Sequence, residues 1–528
     1  MVIKKLSFAF LLGLAVLTAC KDEPMLALDE QQNVEDQQSI DASHSDGMMV
    51  LGQELQDPYK LSNMQQAYAN ITGAKSQLQP THRYMRFLPK NDDEYDALKH
   101  CGLELFDYPL HYEIAQSGTH YHDPELPAEA ITWQYVVVPM SVVIPEEIKH
   151  ELLYEVFIPA DGAKSDLFAA LEDEAMRLSG YADELLAANG AKGKWSAYGT
   201  IRVWDDALGQ YIPLEGAKVR ARRLTHVERG FTNSEGYYNA GSFRYAANYD
   251  IIWEASHYDI RDGRIGQAKY DGPKQSSSWS KDIGTGEGKQ LMFATIHRAA
   301  YKMFYGNNLG MTRPQLAAGK STKIACMDEY DTEKAGLYQS NFNALGVFPN
   351  IKVWTRTETG GFRKTYQVFE TTAHELGHQA HARLMNSVQF VQVSINVVES
   401  WATAVGWAIT NSEYEYWGSR LGVVNILQKY PLNSELLSGV YRHNKWPNIG
   451  NTAYSPLFID LIDDNNQGAN GNNKPNDQVS GYTMQFLNER ILPNSYGLGS
   501  LQTELKSNLI SGVTTEQIDL LFELYHNL

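Results

Sequence analysis

Cysteine and basic residues are both scarce in this chain. It contains 3 cysteines in 528 residues, and its 45 Lys and Arg stand against 63 Asp and Glu, a formal net charge of -18. The acidic balance argues against a nucleic-acid binder, which needs a basic stripe to neutralise phosphates. It also argues against a peripheral protein held on anionic lipid by electrostatics. We therefore expect no nucleic-acid partner.

Long apolar runs are missing as well. The one membrane-directed stretch, residues 6–17, follows Lys4 and Lys5 and is too short to cross a bilayer as a helix. Its basic start and the small residues behind it are typical of a signal peptide. The ending Leu17-Thr18-Ala19-Cys20 resembles the lipobox of bacterial lipoproteins. That resemblance implies a signal peptide over residues 1–19, acylation of Cys20, and a lipid anchor at the outer membrane. Lys21-Asp22-Glu23 resembles an export signal that would place the protein at the cell surface, and the alternative is the acidic start of a solvated tether.

The length predicts about three domains, and 43% hydrophobic residues are enough to give each a core. Residues 20–50 are polar and acidic with little periodicity, which predicts a flexible tether. Residues 51–190 mix strand-like and helix-like patterns and predict an α/β domain of unknown function. Cys101 and Cys326 fall in different predicted domains, so we expect buried free thiols, although an exported protein could pair them.

Residues 195–258 consist of short β-rich runs broken by glycines, which predict a small β-sandwich. The amino-acid sequence of residues 199–203, 213–219 and 231–237 resembles that of the carboxypeptidase regulatory-like (transthyretin-like) sandwich. In that family the module is generally an accessory or spacer domain. With residues 259–528 predicted to be mainly helical, the expected fold class is multidomain α+β.

The most informative segment is residues 371–381, which contains His374-Glu375-x-x-His378. Apolar side chains recur around it at helical spacing and predict one buried stripe: Phe369, Ala373, Leu376, Ala380 and Leu384. His374 and His378 are four residues apart and share a helix face, whereas Glu375 projects about 100° away. This arrangement suits two metal ligands beside a carboxylate that acts as a base without being a ligand. The alternative is a pair of partly buried, hydrogen-bonded histidines.

A catalytic zinc site of this type needs a third protein ligand. The metzincin pattern requires Gly at 381 and His at 384, whereas this chain has His381 and Leu384, which excludes that class. His381 shares the helix face but lies roughly 10 Å beyond His374, so we expect it near the site, at its rim or solvated on the surface.

Glu399 is the better candidate for the third ligand. It lies in the nearly all-apolar segment 396–409, which should form a buried helix. A buried carboxylate needs a cationic partner, and bound zinc or an Arg or Lys side chain would satisfy it. Glu413 and Glu415 also follow the motif, but they lie among polar and aromatic residues and are weaker candidates.

The pattern of His-Glu-x-x-His on one helix and Glu on a second helix 21 residues later resembles the gluzincin clan of zinc metallopeptidases. The resemblance implies a zincin-like C-terminal domain in which His374, His378 and Glu399 bind Zn²⁺ and Glu375 is the general base. It also suggests that the alternating segment 350–358 is the edge strand that receives an extended substrate, and the alternative is an ordinary strand of the sheet. His443, Tyr454 and Tyr482 remain open as candidates for stabilising the oxyanion.

The expected function is therefore a zinc-dependent metallopeptidase, anchored as a surface lipoprotein and expected to be monomeric, that hydrolyses extracellular proteins or peptides. One rival is a surface ligand-binding lipoprotein with a structural or inactive metal site. Another is a metallohydrolase acting on a different amide or ester. Because residues 51–190 precede the catalytic region, a further hypothesis makes them an inhibitory prosegment. The substrate, the direction in which the anchored protein faces and the oligomeric state do not follow from the sequence.

Overall fold

The structure is a computed structural model, and it describes residues 17–20, 47–159, 166–188, 194–332, 334–339, 349–423, 455–464, 466 and 477–526. Most of the predicted signal peptide and tether therefore lies outside the described residues. Within them the chain is a mixed α/β protein with strands in several sheets, consistent with a multidomain α+β fold. None of the described helices is both long enough and apolar enough to cross a membrane.

Among the described residues, strands and helices are mixed up to residue 188, strands dominate from 195 to 283, and only helices follow residue 365. The strands are β1 (Leu17–Cys20), β2 (Val50–Glu54), β3 (His82–Leu88), β4 (Tyr112–Gln116), β5 (Gln134–Pro139), β6 (Lys149–Val156), β7 (Trp195–Asp205), β8 (Gln210–Pro213), β9 (Lys218–Arg223), β10 (His226–Phe231), β11 (Tyr237–Phe243), β12 (Ala247–Ile252), β13 (Tyr258–Asp262), β14 (Gly266–Gln267), β15 (Lys269–Gln275), β16 (Lys281–Ile283), β17 (Thr322–Met327), β18 (Gly336–Gln339) and β19 (Ile351–Trp354). The α-helices are α1 (Leu61–Thr72), α2 (Asp92–His100), α3 (Asp166–Leu178), α4 (Ala182–Ala188), α5 (Lys289–Phe304), α6 (Thr365–Met385), α7 (Ser387–Phe390), α8 (Ile395–Leu421), α9 (Leu457–Asp460), α10 (Met484–Phe486), α11 (Leu498–Ser507) and α12 (Thr515–His526).

The N-terminal region is built on an antiparallel sheet in the order β5-β3-β6, with β2 and β4 forming a separate ribbon. Asn91 caps the N-terminus of helix α2, because its Oδ1 accepts a hydrogen bond from the Glu94 N–H at 2.9 Å. Phe87 in β3 and Leu98 in α2 are both fully buried in one hydrophobic cluster. The helix and the sheet therefore share a core.

Two sheets, β10-β9-β12-β15 and β11-β7-β16 with β8, form the β-rich region that follows. Alternate residues of β7, such as Ile201 and Val203, are buried, as expected for a strand with one face on a core. The sheets extend past residue 258, where we expected this region to end, because β15 and β16 return to pair with β12 and β7. Strand β13 lies between β12 and β15 in sequence, but it pairs with β17 in a different sheet.

The C-terminal region contains a six-stranded sheet in the order β1-β18-β19-β17-β13-β14, which packs against α5 and α6. Strands β13, β17 and β19 are parallel, and β18 runs antiparallel to β19. The expectation that residues 350–358 form the edge strand is wrong, because β19 lies inside the sheet between β17 and β18. Beyond β18 the sheet contains only the short β1, so β18 is the strand on the outer side of β19. The C-terminal region thus contains a substantial sheet as well as helices.

Helices α6 and α8 cross at close range, and two glycines permit this. A Cβ added to Gly377 would lie 3.0 Å from Val405 Cβ, and one added to Gly406 would lie 3.3 Å from His374 Cβ. Larger residues at these positions would push the helices apart, since interiors are already close-packed. The crossing carries residues of α8 up to the histidine-bearing face of α6.

The N-terminal region packs against the β13–β14 end of the six-stranded sheet. Buried ion pairs cross this junction: Lys323 Nζ lies 2.6 Å from Asp96 Oδ1, and Arg261 Nη2 lies 2.6 Å from Asp92 Oδ1. Since β18 is at the other end of the strand order, these contacts give no support to an inhibitory prosegment lying along that strand. Cys101 is half-buried, Cys326 is buried, and both thiols are free.

Candidate metal centre

The two motif histidines lie in the middle of α6. Gln367 Oε1 accepts a hydrogen bond from the Lys364 N–H at 3.0 Å at the start of this helix, and no proline interrupts the 21 residues that follow. Consecutive turns of α6 therefore stack His374 above His378, as i, i+4 spacing requires. Their Nε2 atoms are 3.0 Å apart, and both side chains are buried.

Glu399 reaches the same point from α8. The residue is fully buried, and its Oε2 lies 3.4 Å from His374 Nε2 and 3.3 Å from His378 Nε2. Those two contacts are the only ion pairs that the described residues form with Glu399, so the pairing with Arg or Lys that we considered is not found there. Neither of its carboxylate oxygens accepts a hydrogen bond of regular geometry from the described residues.

The spacing of these three donors fits a bound metal ion. Tetrahedral zinc with bonds of about 2.0–2.1 Å to N and O holds neighbouring ligand atoms roughly 3.3–3.4 Å apart. The observed separations of 3.0, 3.3 and 3.4 Å are close to that value. His374, His378 and Glu399 are the one group of three such side chains in the described residues whose ligand atoms lie this close together. They therefore form a candidate metal site.

The charge state of Glu399 suits a ligand. Burial opposes ionisation, but the charge of His378 and polar contacts with both histidines outweigh burial and lower the pKa of Glu399 to about 2. The side chain is therefore a carboxylate at neutral pH. It brings one negative charge to two buried imidazoles.

Glu375 is fully buried one residue after His374 and faces β18. A Cβ built on Gly336 would lie 2.8 Å from both Cγ and Cδ of Glu375, and closer still to Oε1. Real Cβ atoms do not approach other atoms so closely, so any side chain at 336 would force this carboxylate to shift. Sequence reasoning did not identify Gly336, because the residues around it in the sequence do not indicate which side chain packs against it.

Aromatic side chains close the site around His378. The Tyr338 ring on β18 stacks on the His378 ring, with centroids 6.2 Å apart and an interplanar angle of 19°. Tyr338 also contacts Phe390 on α7, where the ring centroids are 6.4 Å apart. Residues of strand β18 and of helices α6 and α7 therefore pack together beside the metal ligands.

His381 is buried, so our interpretation of it as a solvated side chain is wrong. Its Nε2 lies 3.1 Å from Met385 Sδ, and its ring meets Phe390 edge-on at 5.1 Å. Burial, reinforced by the charge of His378, lowers the pKa of His381 to about 3, so the imidazole is neutral. It lies near the site but does not belong to the group of three donors.

The weaker candidates have other surroundings. Glu413 forms ion pairs with Lys302 at 2.8 Å and with Arg298 at 3.3 Å, which is a structural role, and Glu415 is exposed. Tyr482 is buried, with its ring centroid 5.7 Å from that of Phe486. The other two oxyanion candidates, His443 and Tyr454, lie outside the described residues.

Comparison with known proteins adds no identification. No protein-family model matches the chain, and neither the curated proteins nor the solved structures contain a match. The assignment of function therefore depends on the chemistry of the site.

Proposed function

We propose that this protein is a zinc-dependent metallopeptidase of the gluzincin type. The observation that carries the proposal is the buried group His374, His378 and Glu399, with separations suited to one ion. Two histidines and a glutamate are a known ligand set of catalytic zinc in peptidases, where a fourth position stays open. When bound, zinc would supply a Lewis acid that polarises the scissile carbonyl and makes water more acidic.

Glu375 is the general base in this proposal. It accepts a proton from the attacking water and passes it to the departing amine. Its neighbour His374 belongs to the metal group, while Glu375 itself does not, so this carboxylate is not taken up as a ligand. The rival of a purely structural site leaves this buried acid without a task, and structural zinc sites usually have four protein ligands.

A peptide substrate is favoured by strand β18. Gly336 and Tyr338 on this strand contact Glu375 and His378, so whatever pairs with β18 lies beside the reacting groups. In the uncleaved chain, residues 17–20 pair with β18 as an antiparallel strand, with Cys20 opposite Gly336, and the proposed cleavage before Cys20 would leave most of this edge open. This is how an extended peptide adds to a sheet edge through its main-chain hydrogen bonds. An ester or a small amide would not use that edge.

The test is metal content and peptide hydrolysis by three matched variants. We expect about one zinc per wild-type chain, a large loss of bound zinc in Glu399→Ala, and retained zinc without hydrolysis in Glu375→Gln. Glu415→Ala, which changes an exposed carboxylate on the same helix as Glu399, serves as the control and should match wild type. A folded wild-type chain that binds no zinc would favour the ligand-binding lipoprotein instead.

The anchoring is part of the same proposal. Acylation at Cys20 would place the domains at the outer membrane or cell surface, and the β-rich region would act as a carboxypeptidase regulatory-like spacer. Cys20→Ser should then move the protein from the membrane fraction to the soluble fraction without loss of folded chain. If the variant stays in the membrane fraction, the lipobox interpretation fails.

A further inference from the structure

A cavity of about 410 Å³, lined by both apolar and polar side chains, lies where the N-terminal region meets the β13–β14 end of the six-stranded sheet. Gln134 and Ile131 line it from one side, and Ile265 and Gln267 from the other. It is distinct from the metal group, which lies beside β18 at the other end of the strand order. Small-molecule sites often occupy cavities of this size at domain junctions. We infer that this cavity binds a neutral carbohydrate of one or two sugar rings.

The cavity favours an uncharged ligand, because each acidic or Arg side chain in its wall already pairs with an opposite charge. The pairs are Asp107 with Lys269, Asp262 with Lys289, Arg261 with Asp92, Asp259 with Lys323, and Glu254 with Lys218. An ionic ligand entering here would lose its hydration without gaining a free counter-charge. A neutral ligand avoids that loss.

Two amide side chains retain unused hydrogen-bonding capacity. Gln134 is 2% exposed, and its Nε2 donates to the Thr132 carbonyl at 3.1 Å, but its Oε1 has no partner among the described residues. Within the same part of the chain, neither Oε1 nor Nε2 of Gln267 has a partner, although both atoms are buried. Buried polar atoms in native proteins are normally satisfied. A ligand that donates to Gln134 and both donates to and accepts from Gln267 would satisfy all three atoms.

Hydroxyl groups meet this requirement, since each donates one hydrogen bond and accepts others. A sugar ring also presents C–H faces, which suit the side chains of Tyr121, Leu126 and Ile131 in the wall. The volume equals that of roughly 14 waters at about 30 Å³ each, which is room for one or two rings. A peptide chain would need a longer groove for its successive amides.

The experiment measures binding to the detergent-solubilised full chain. The probes are glucose, galactose, N-acetylglucosamine and N,N′-diacetylchitobiose, with N-acetyl-triglycine amide as the peptide probe. Saturation-transfer NMR detects binding, and calorimetry gives the Kd. We expect at least one sugar to bind and to raise Tm. In Gln267→Leu its affinity should fall about tenfold or more, as the loss of one buried hydrogen bond implies.

Matched variants separate this site from the rest of the protein. Gln66→Leu changes an exposed glutamine of the same N-terminal region and should bind like wild type, and Glu399→Ala should retain sugar binding because the metal group is remote. Gln134→Leu gives a second, independent test if it remains folded by its Tm. The inference is overturned if none of the four sugars binds, if the peptide probe binds instead, or if Gln267→Leu keeps wild-type affinity.

Discussion

Replacing Gly336 by alanine tests whether the geometry around Glu375 matters for the proposed catalysis. The added methyl group would lie 2.8 Å from both Cγ and Cδ of Glu375. An ordinary contact between carbon atoms is about 3.5–4.0 Å, so the carboxylate must withdraw by roughly 0.7 Å or more. The metal donors are not among the three atoms nearest to the new methyl group.

The size of the effect follows from this displacement. Misplacing a reacting group by about 1 Å can cost on the order of 100-fold in rate, so we expect kcat/KM to fall between about 10- and 100-fold. That range corresponds to roughly 1.4–2.7 kcal/mol of lost transition-state stabilisation. Zinc content should stay at the wild-type level, because His374, His378 and Glu399 keep their positions.

The assay is hydrolysis of an internally quenched peptide, with zinc measured on the same preparation. Gly499→Ala is the matched control, because an added Cβ there meets nothing within 4 Å and the residue is helical. Wild-type activity in Gly336→Ala would refute the idea that Glu375 acts from its position against β18. Loss of zinc together with activity would show that the strand supports the ligands rather than the base.

Three further predictions concern the ligands, a buried acid and the N-terminal region. Glu399→Gln should weaken zinc binding, seen as faster metal loss to a chelator, because the neutral amide brings no negative charge to the site. Burial, with the nearby charges of Asp460 and Asp463, raises the pKa of Asp477 from 3.8 to about 8. Because the pKa of Asp477 is higher in the folded than in the unfolded chain, its protonated carboxyl contributes stability that is fully present below pH 3.8 and is lost as pH rises through about 8. Asp477→Asn should therefore flatten the decline of stability between those pH values in urea unfolding, and an unchanged pH profile would contradict this reasoning. Lys323→Ala leaves buried carboxylates short of a partner and should cost about 3–5 kcal/mol of unfolding free energy. If deletion of residues 51–190 instead leaves a stable and more active chain, the inhibitory prosegment hypothesis regains its support.

Local geometry explains what could be predicted around the site. A helix repeats every 3.6 residues, so the i, i+4 spacing of His374 and His378 is enough by itself to imply a shared face. Glu399 was marked by its chemistry, because a carboxylate in an apolar helix requires a partner. Both inferences use only neighbouring residues and the cost of burying charge.

Tertiary structure decided everything that depends on which distant segments meet. The alternating pattern of residues 350–358 is the same for an interior strand and an edge strand, and only the strand order of the fold places β18 on the outer side of β19. His381 lies on a helix face whose cover, Phe390 on α7, does not follow from helical spacing.

The close approach of α6 and α8 is likewise non-local. A glycine in a sequence can mark a turn, a weak point in a helix or a contact, and only the fold shows that Gly377 admits Val405. The sequence therefore determined the residue types, the helical faces and the need for a counter-charge. The distances that join two histidines to one glutamate came from packing, because they depend on how closely two separate helices are pressed together in a dense core.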